Sequence, residues 1–290
     1  MTGFRNVREI GDAYEEGREF FSAWRKVPTV ATAAGYWLDL SISPGNPSPN
    51  YYATTPLAAA RLAQSTDGGI RHGGNVSPAS KHLRELLAYS SAAGGNPLAG
   101  LLCDYLLYYP FIPEDDVGNP QVLDNTVGLS RYTDGEGVQI MAVVRDPHSA
   151  AGSTFQCSYT NSRGVAGRLT QPTTFGAQAV TGTILAGSAG AGSFAPFLPL
   201  QDGDTGVRSI ESVTVLTGGD VGTFVLVLVK RIGIINTRGV DAAREIDPLK
   251  DHGLRMPVIA DDAFLGIVAL TAGNISGSQI YGTIQTVWST

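Results

Sequence analysis

Ser209-Ile-Glu-Ser-Val-Thr-Val-Leu216, then Gly218-Gly-Asp220, then Thr223-Phe-Val-Leu-Val-Leu-Val229 is the stretch whose reading decides the fold. Two apolar, β-branched runs flank a cluster of residues that accept turn geometry, which is the signature of consecutive strands. The second run belongs to the most apolar stretch of the chain, Thr223–Ile235. Outward from it the same texture recurs over Val138–Val144, Thr154–Thr160, Val180–Leu185, Phe264–Leu270 and Gln279–Trp288. Asp134-Gly-Glu-Gly137, Asn161-Ser-Arg-Gly164 and Gln201-Asp-Gly-Asp-Thr-Gly206 separate several of these runs. Many short strands with such punctuation predict a mainly β protein of sandwich or jelly-roll type. No period of repeat length occurs, which disfavours solenoids and propellers.

Toward the N-terminus the pattern changes. Val7, Ile10, Tyr14, Phe21 and Trp24 fall at helical spacings within the charge-rich span Arg5–Lys26, with Gly17 in the same stripe. They predict an N-terminal helical arm over residues 1–28, packed on its own domain or docked on a neighbour. Residues 29–290 then form the mainly β domain. Thr29–Ile42 reads as extended chain with Tyr36, Leu38, Leu40 and Ile42 on one face. Pro44, Pro47 and Pro49 in the following loop forbid a helix and remove ladder donors, so this is a rigid loop or a sheet-edge excursion. One inserted helix is expected near 77–93, capped by Ser77, with Pro78 in its first turn, Leu83, Leu86 and Leu87 at helical spacing and Gly94-Gly95 as its stop. Leu98–Ile112, nearly all apolar or aromatic, fits a strand buried on both faces or a buried helix, and the flanking Pro97 and Pro110 with the Tyr-rich end favour strand.

Charged residues make up 16% of the chain, and Leu40–Ala60, Leu86–Cys103, Leu169–Gln201 and Ala263–Thr290 carry none. A surface built from such tracts suits contact with protein. A net charge of -6 without a basic block argues against nucleic acid. The most apolar run, Thr223–Ile235, is interrupted by Lys230 and Arg231, and Met1–Glu19 lacks an apolar signal core. The expectation is a chain made in a cytosol that crosses no membrane. Cys103 and Cys157 lie in separate apolar segments and are expected to be buried free thiols.

No residue pattern announces a reaction. His72, His82, His148 and His252 have no metal-site spacing, no Cys-x-x-Cys occurs, and no Gly-x-Ser-x-Gly elbow is present. Gly187-Ser-Ala-Gly-Ala-Gly192 reads as a surface loop and Asp202–Gly206 as a turn. Asp115-Asp116 and Asp261-Asp262 read as solvated loop charges. No catalytic, cofactor or metal residue is assigned, and the protein is expected not to be an enzyme. Tyr51, Tyr52, Tyr105, Tyr108, Tyr109 and Phe111 leave three readings open: core packing, an interface, or a sugar-binding groove.

Several blocks carry a resemblance: Arg18-Glu-Phe-Phe-Ser-Ala-Trp-Arg-Lys-Val27, Gly35-Tyr-Trp-Leu-Asp-Leu40, Gly73-Gly-Asn-Val-Ser-Pro78, Leu101-Leu-Cys-Asp-Tyr-Leu-Leu-Tyr-Tyr-Pro110 and Ile284-Gln-Thr-Val-Trp288. Over most of the first half and the C-terminal strand the chain resembles virion structural proteins of tailed bacteriophages, and is most similar to capsid decoration or cement proteins. The resemblance implies a location in the virion, with the major capsid protein and copies of itself, in a homo-oligomer such as a trimer, as partners. A tail, neck or baseplate component and a carbohydrate-binding or carbohydrate-active host-surface protein are the alternatives. Candidate contact residues are Tyr14, Phe21, Trp24, Pro44, Pro47, Pro49, Tyr51, Tyr52, Tyr108, Tyr109, Phe194 and Phe197.

Overall fold

The computed structural model describes residues 3–91, 97–148, 153–174, 180–184, 196–219, 221–235, 244–247 and 256–290. In chain order the elements are α1 (Val7–Glu15), β1 (Glu19–Lys26), β2 (Trp37–Asp39), a 3-10 turn (Leu40–Ile42), β3 (Gly45–Asn46), β4 (Ala60–Arg61) and α2 (Gln64–Asp67). Next come β5 (Lys81–Ser90), β6 (Pro97–Pro113), β7 (Pro120–Val122), β8 (Val138–Asp146), β9 (Thr154–Asn161), β10 (Arg168–Leu169) and β11 (Thr173–Thr174). The last are β12 (Val207–Thr217), β13 (Thr223–Ile235), β14 (Arg244–Ile246), β15 (Val258–Ile259), β16 (Phe264–Thr271) and β17 (Ile280–Trp288). With 48% strand against 7% helix the protein is mainly β, its sheets curled as in a sandwich or jelly-roll type domain.

Three antiparallel sheets share one core. The central sheet runs β2-β16-β6-β13-β8, with β4 beside β6. A first outer sheet runs β14-β5-β17-β1-β3, and a second runs β10-β9-β12-β7. One face of the central sheet is covered by both. Leu102, Leu265, Ile267 and Ala269 meet Trp24, Leu83, Leu86 and Ile284 of the first outer sheet, while Tyr109, Ile140, Leu226 and Leu228 meet Phe155, Cys157, Tyr159 and Val213 of the second. The opposite face, with Tyr105, Met141, Val225 and Val227, is covered by the segment that supplies Trp37, Ile42, Tyr52 and Leu62. Burial on both sides explains the lack of alternation in β6 and β13. Both cysteines are free and buried in this core, and burial pushes their thiols far up.

Several expectations are corrected. The N-terminal helix stops at Glu15. Gly17, at φ +70°, caps it in the left-handed region, with Arg18 N–H donating to Ala13 O and Gly17 N–H to Tyr14 O. Residues 19–26 are therefore not arm but strand, paired along their whole length with β17. Gly17 reads as a weak point in a long stripe when it is the end of a short one.

The helix expected near 77–93 is instead strand β5. Its pairing with β17 shifts register at Arg84, where Leu83 lies opposite Thr286 and Glu85 opposite Gln285. The bulge turns Leu83 and Leu86 to the same side, so a spacing of three imitates a helix. The extended reading of Thr29–Ile42 shrinks to β2, because Asp39 accepts from Ser41 N–H and folds Leu40–Ile42 into the 3-10 turn. Val180–Leu185 is not a strand over its described part, where Thr183 and Ile184 make isolated bridges to Leu38 and Val143. Leu98–Ile112 is strand as expected, within β6.

Candidate interaction surface

The second outer sheet has an alternating strand at its centre. In β9, Phe155, Cys157 and Tyr159 point into the core, leaving Thr154, Gln156, Ser158 and Thr160 on the outward face. The register with β12 sets Thr160 opposite Ser209, Ser158 opposite Ser212 and Gln156 opposite Thr214. Strands β10 and β7 extend these rows, with Leu169 beside Ser158, Val122 beside Ser212 and Pro120 beside Thr214. One row therefore reads Leu169, Ser158, Ser212, Val122 across four strands. Its ends are exposed apolar side chains, Val122 at 73% and Leu169 at 46%. Glu211 is a charge at this face, and the Thr160 hydroxyl donates to it. The result is a face of short neutral side chains rimmed by apolar ones.

Most of the sequence-derived contact residues lie elsewhere. Trp24, Tyr52, Tyr108 and Tyr109 are core residues, exposed by no more than 4%, so they are corrected from interface to packing. Each sits on or against a strand that a further layer covers. Tyr109 donates to Asn125 and accepts from Ile210 N–H, and the Tyr52 hydroxyl is spent on Asp39. Tyr14, Pro47, Pro49 and Phe197 are half-buried. Pro44, Phe21 and Tyr51 are exposed; Pro44 accepts from Val27 N–H beside β1, whereas Tyr51 O accepts from Arg145 on β8. Phe194 and the Gly187–Gly192 loop lie outside the described residues, as does His252. The face of β9 and β12 was absent from the contact residues, although the alternation of Thr154–Asn161 was legible.

Polar clusters buried under the sheets are a second class of residues that the sequence did not reveal. Asp39, fully buried, accepts from Tyr52 Oη at 2.5 Å, Tyr105 Oη at 2.8 Å, Ser41 Oγ at 2.8 Å and Ser41 N–H at 2.8 Å. Burial pushes its carboxyl up while these bonds pull it down. Lys26, 4% exposed, donates to Ser41 O, Ser43 O and Pro47 O at 2.9–3.3 Å. Burial lowers its ammonium to about 8, against the pull of Asp39. The space beside it, lined by Ser41, Pro47, Ile70 and Phe264, is about 10 Å³. That volume sits at the limit for one water and admits no substrate.

Elsewhere, Asp104 takes Arg131 in two hydrogen bonds, 2.7 and 3.0 Å, plus Phe264 N–H. Burial raises its carboxyl to about 6 against the pull of Arg131. Lys81, 1% exposed, reaches Gly74 O, His72 Nδ1 and Asp261, and His72 Nε2 lies 2.9 Å from Ala263 O. Burial and Lys81 together lower the His72 imidazole to about 4. Asp261 and Asp262 lie in a loop and keep part of their surface exposed, as expected, but they are also bonded, Asp261 to Lys81 and Asp262 to Ser65 N–H and hydroxyl. Asp204, in the predicted turn, is also buried, held by Arg163, Arg168, Tyr159 and Asn161. In each cluster the polar atoms are occupied by their own neighbours, which is the chemistry of a fixed structure. Among the described residues no group of three His, Cys, Asp or Glu is arranged to hold a metal ion.

No family model matches the chain, and no curated protein matches it. Among solved structures it is similar to one described as the structure of infectious bursal disease virus Gt strain, at 10% identity and a TM-score of 0.19, over 93% of this chain and 81% of that one. A score that low carries no argument about this protein.

Proposed function

We propose that the protein is a structural component of a tailed-phage virion that binds the capsid and ties neighbouring subunits together. The observation that carries this reading is the outward face of β9 and β12, where Ser, Thr and Gln form cross-strand rows between Val122 and Leu169. The short Ser and Thr side chains that make up most of these rows lose little rotamer entropy on contact, and the apolar rim adds burial at about 25 cal/mol per Å² before association costs. Repetition of the contact over a shell adds avidity. The resemblance in sequence supplies the virion setting.

Quantitative mass spectrometry of purified particles, with the protein labelled for electron microscopy, tests the reading. Copies matching the number of capsid subunits and density on the shell are expected; a few copies confined to the tail would overturn it. In the same particles Val122→Lys with Leu169→Lys should reduce incorporation at least tenfold while the isolated protein keeps its fold. Full incorporation of that variant would remove this face from the contact.

A further inference from the structure

Among the described residues strand β1 has one unused edge. Trp288 N–H donates to Arg18 O, and on the opposite side Val27 N–H donates to Pro44 O. Pairing of β1 with β17 runs without a register shift from Glu19 to Lys26. Strict alternation then turns the backbone groups of Phe20, Ser22 and Trp24 toward β17 and those of Glu19, Phe21 and Ala23 away from it. On that far side β3 covers Arg25 and Lys26 alone. After Asn46 the chain enters Pro47 and Pro49, which have no N–H to donate, and it turns back so that Asn50 N–H reaches Ser41 O. Glu19–Ala23 is left as a bare edge, with Glu19, Phe21 and Ala23 all exposed.

Such an edge is normally blocked by Lys, Pro or a bulge, and none interrupts Glu19–Ala23. We propose that it pairs antiparallel with the same edge of a second copy of this chain. The segment is self-complementary about Phe21. A twofold axis there sets Glu19 opposite the partner's Ala23 and diagonal to the partner's Arg25, twice over, and brings the two Phe21 rings together. Phe21 is 61% exposed, so its ring gains most from that contact. A slip of register toward the C-terminus of β1 runs into β3, and one toward the N-terminus runs into the Gly17 turn, so the geometry selects this alignment. The two outer sheets become one continuous sheet through the axis, an isologous contact. This inference does not rest on the virion reading: the dimer is a property of the isolated chain, and its loss leaves the β9/β12 face unaffected.

Sedimentation velocity of the full chain over a range of concentrations should show a monomer–dimer equilibrium. Ala23→Pro removes an N–H that no partner among the described residues uses, and Phe21→Lys places two like charges on the axis. Each should abolish the dimer with the circular dichroism spectrum unchanged. If Ala23→Pro fails to fold, Phe21→Lys and a cysteine pair carry the test. Opposed Cα atoms in a hydrogen-bonded antiparallel pair lie about 5.5 Å apart, within disulfide range. Phe21→Cys should therefore give a covalent dimer under mild oxidation and the exposed control Val122→Cys should not. A monomer at every concentration, a dimer that survives Phe21→Lys, or equal cross-linking of the two cysteine variants would overturn the proposal.

Discussion

The molecule buries negative and positive charge in different ways. Under the central sheet lie two carboxylates, Asp39 and Asp104, each held mainly by side chains brought from other elements: Tyr52 and Tyr105 for one, Arg131 for the other. Under the first outer sheet lie two ammonium groups: Lys26, held by three main-chain carbonyls, and Lys81, held by Gly74 O, His72 Nδ1 and Asp261, all from segments between strands. A carboxylate accepts in its plane and fixes the few donors that reach it, so it orders strands relative to one another. An ammonium has three donors that turn to suit their acceptors, so it staples a loop that has carbonyls to spare. The carboxylates specify how layers meet, and the lysines tie down the segments between strands.

Breaking a carboxylate pair should have the largest effect. Arg131→Met leaves buried Asp104 without its ion-pair partner, and should lower the unfolding free energy by about 3–5 kcal/mol in urea titrations. Adding Asp104→Leu should return much of that loss, since the pair's desolvation is then removed. A double variant as unstable as the single one would show that Arg131 acts through its contacts with Leu62 O and Tyr105 O instead.

Acid should come next. The folded His72 imidazole lies near 4 and an unfolded one near 6.5. Between those values the unfolded chain binds a proton that the folded chain refuses. Stability from this site is complete above 6.5 and falls as pH drops toward 4, by about 3 kcal/mol in total. His72→Gln should flatten that part of the stability profile, and an unchanged slope would assign the acid sensitivity to other groups.

The smallest effect is expected at the lysine staple. Lys26→Met strips three carbonyls of their donor but also relieves the burial that lowers the ammonium, for a net loss of about 1–3 kcal/mol. Hydrogen exchange should report it locally, with faster exchange at Ser43 and Asn50 and little change in β13.

How much of this was legible in the sequence depended on whether local pattern and tertiary environment agreed. β12, β16 and β17 were read nearly to their ends because their composition and their turns point the same way, whereas β13 was read only as far as Val229 and runs on through Lys230 and Arg231 to Ile235. β5 was misread since its bulge at Arg84 mimics helical spacing, and a bulge is visible only in the partner strand. Phe21 and Trp24 looked like one stripe and fall on opposite faces of β1, one exposed and one in the core. Half of the described aromatic residues chosen for an interface are core; Tyr108 and Tyr109 are so because β6 is covered on both sides, a fact carried by segments far along the chain. Asp39 was invisible as a centre, since nothing near it in sequence announces Tyr105.

The place of β17 between β5 and β1 has a consequence for biosynthesis. Its two neighbours lie in the first third of the chain, and about 250 residues separate Lys26 from Ile280. At about 5–20 residues per second, roughly ten to fifty seconds of translation pass before the strand between them exists. Throughout that time the nascent chain carries β1 and β5 without the partner that joins them, and β6 without β16. Closure of the two sheets is thereby deferred until β16 and β17 have been made, when both can form at nearly the same moment.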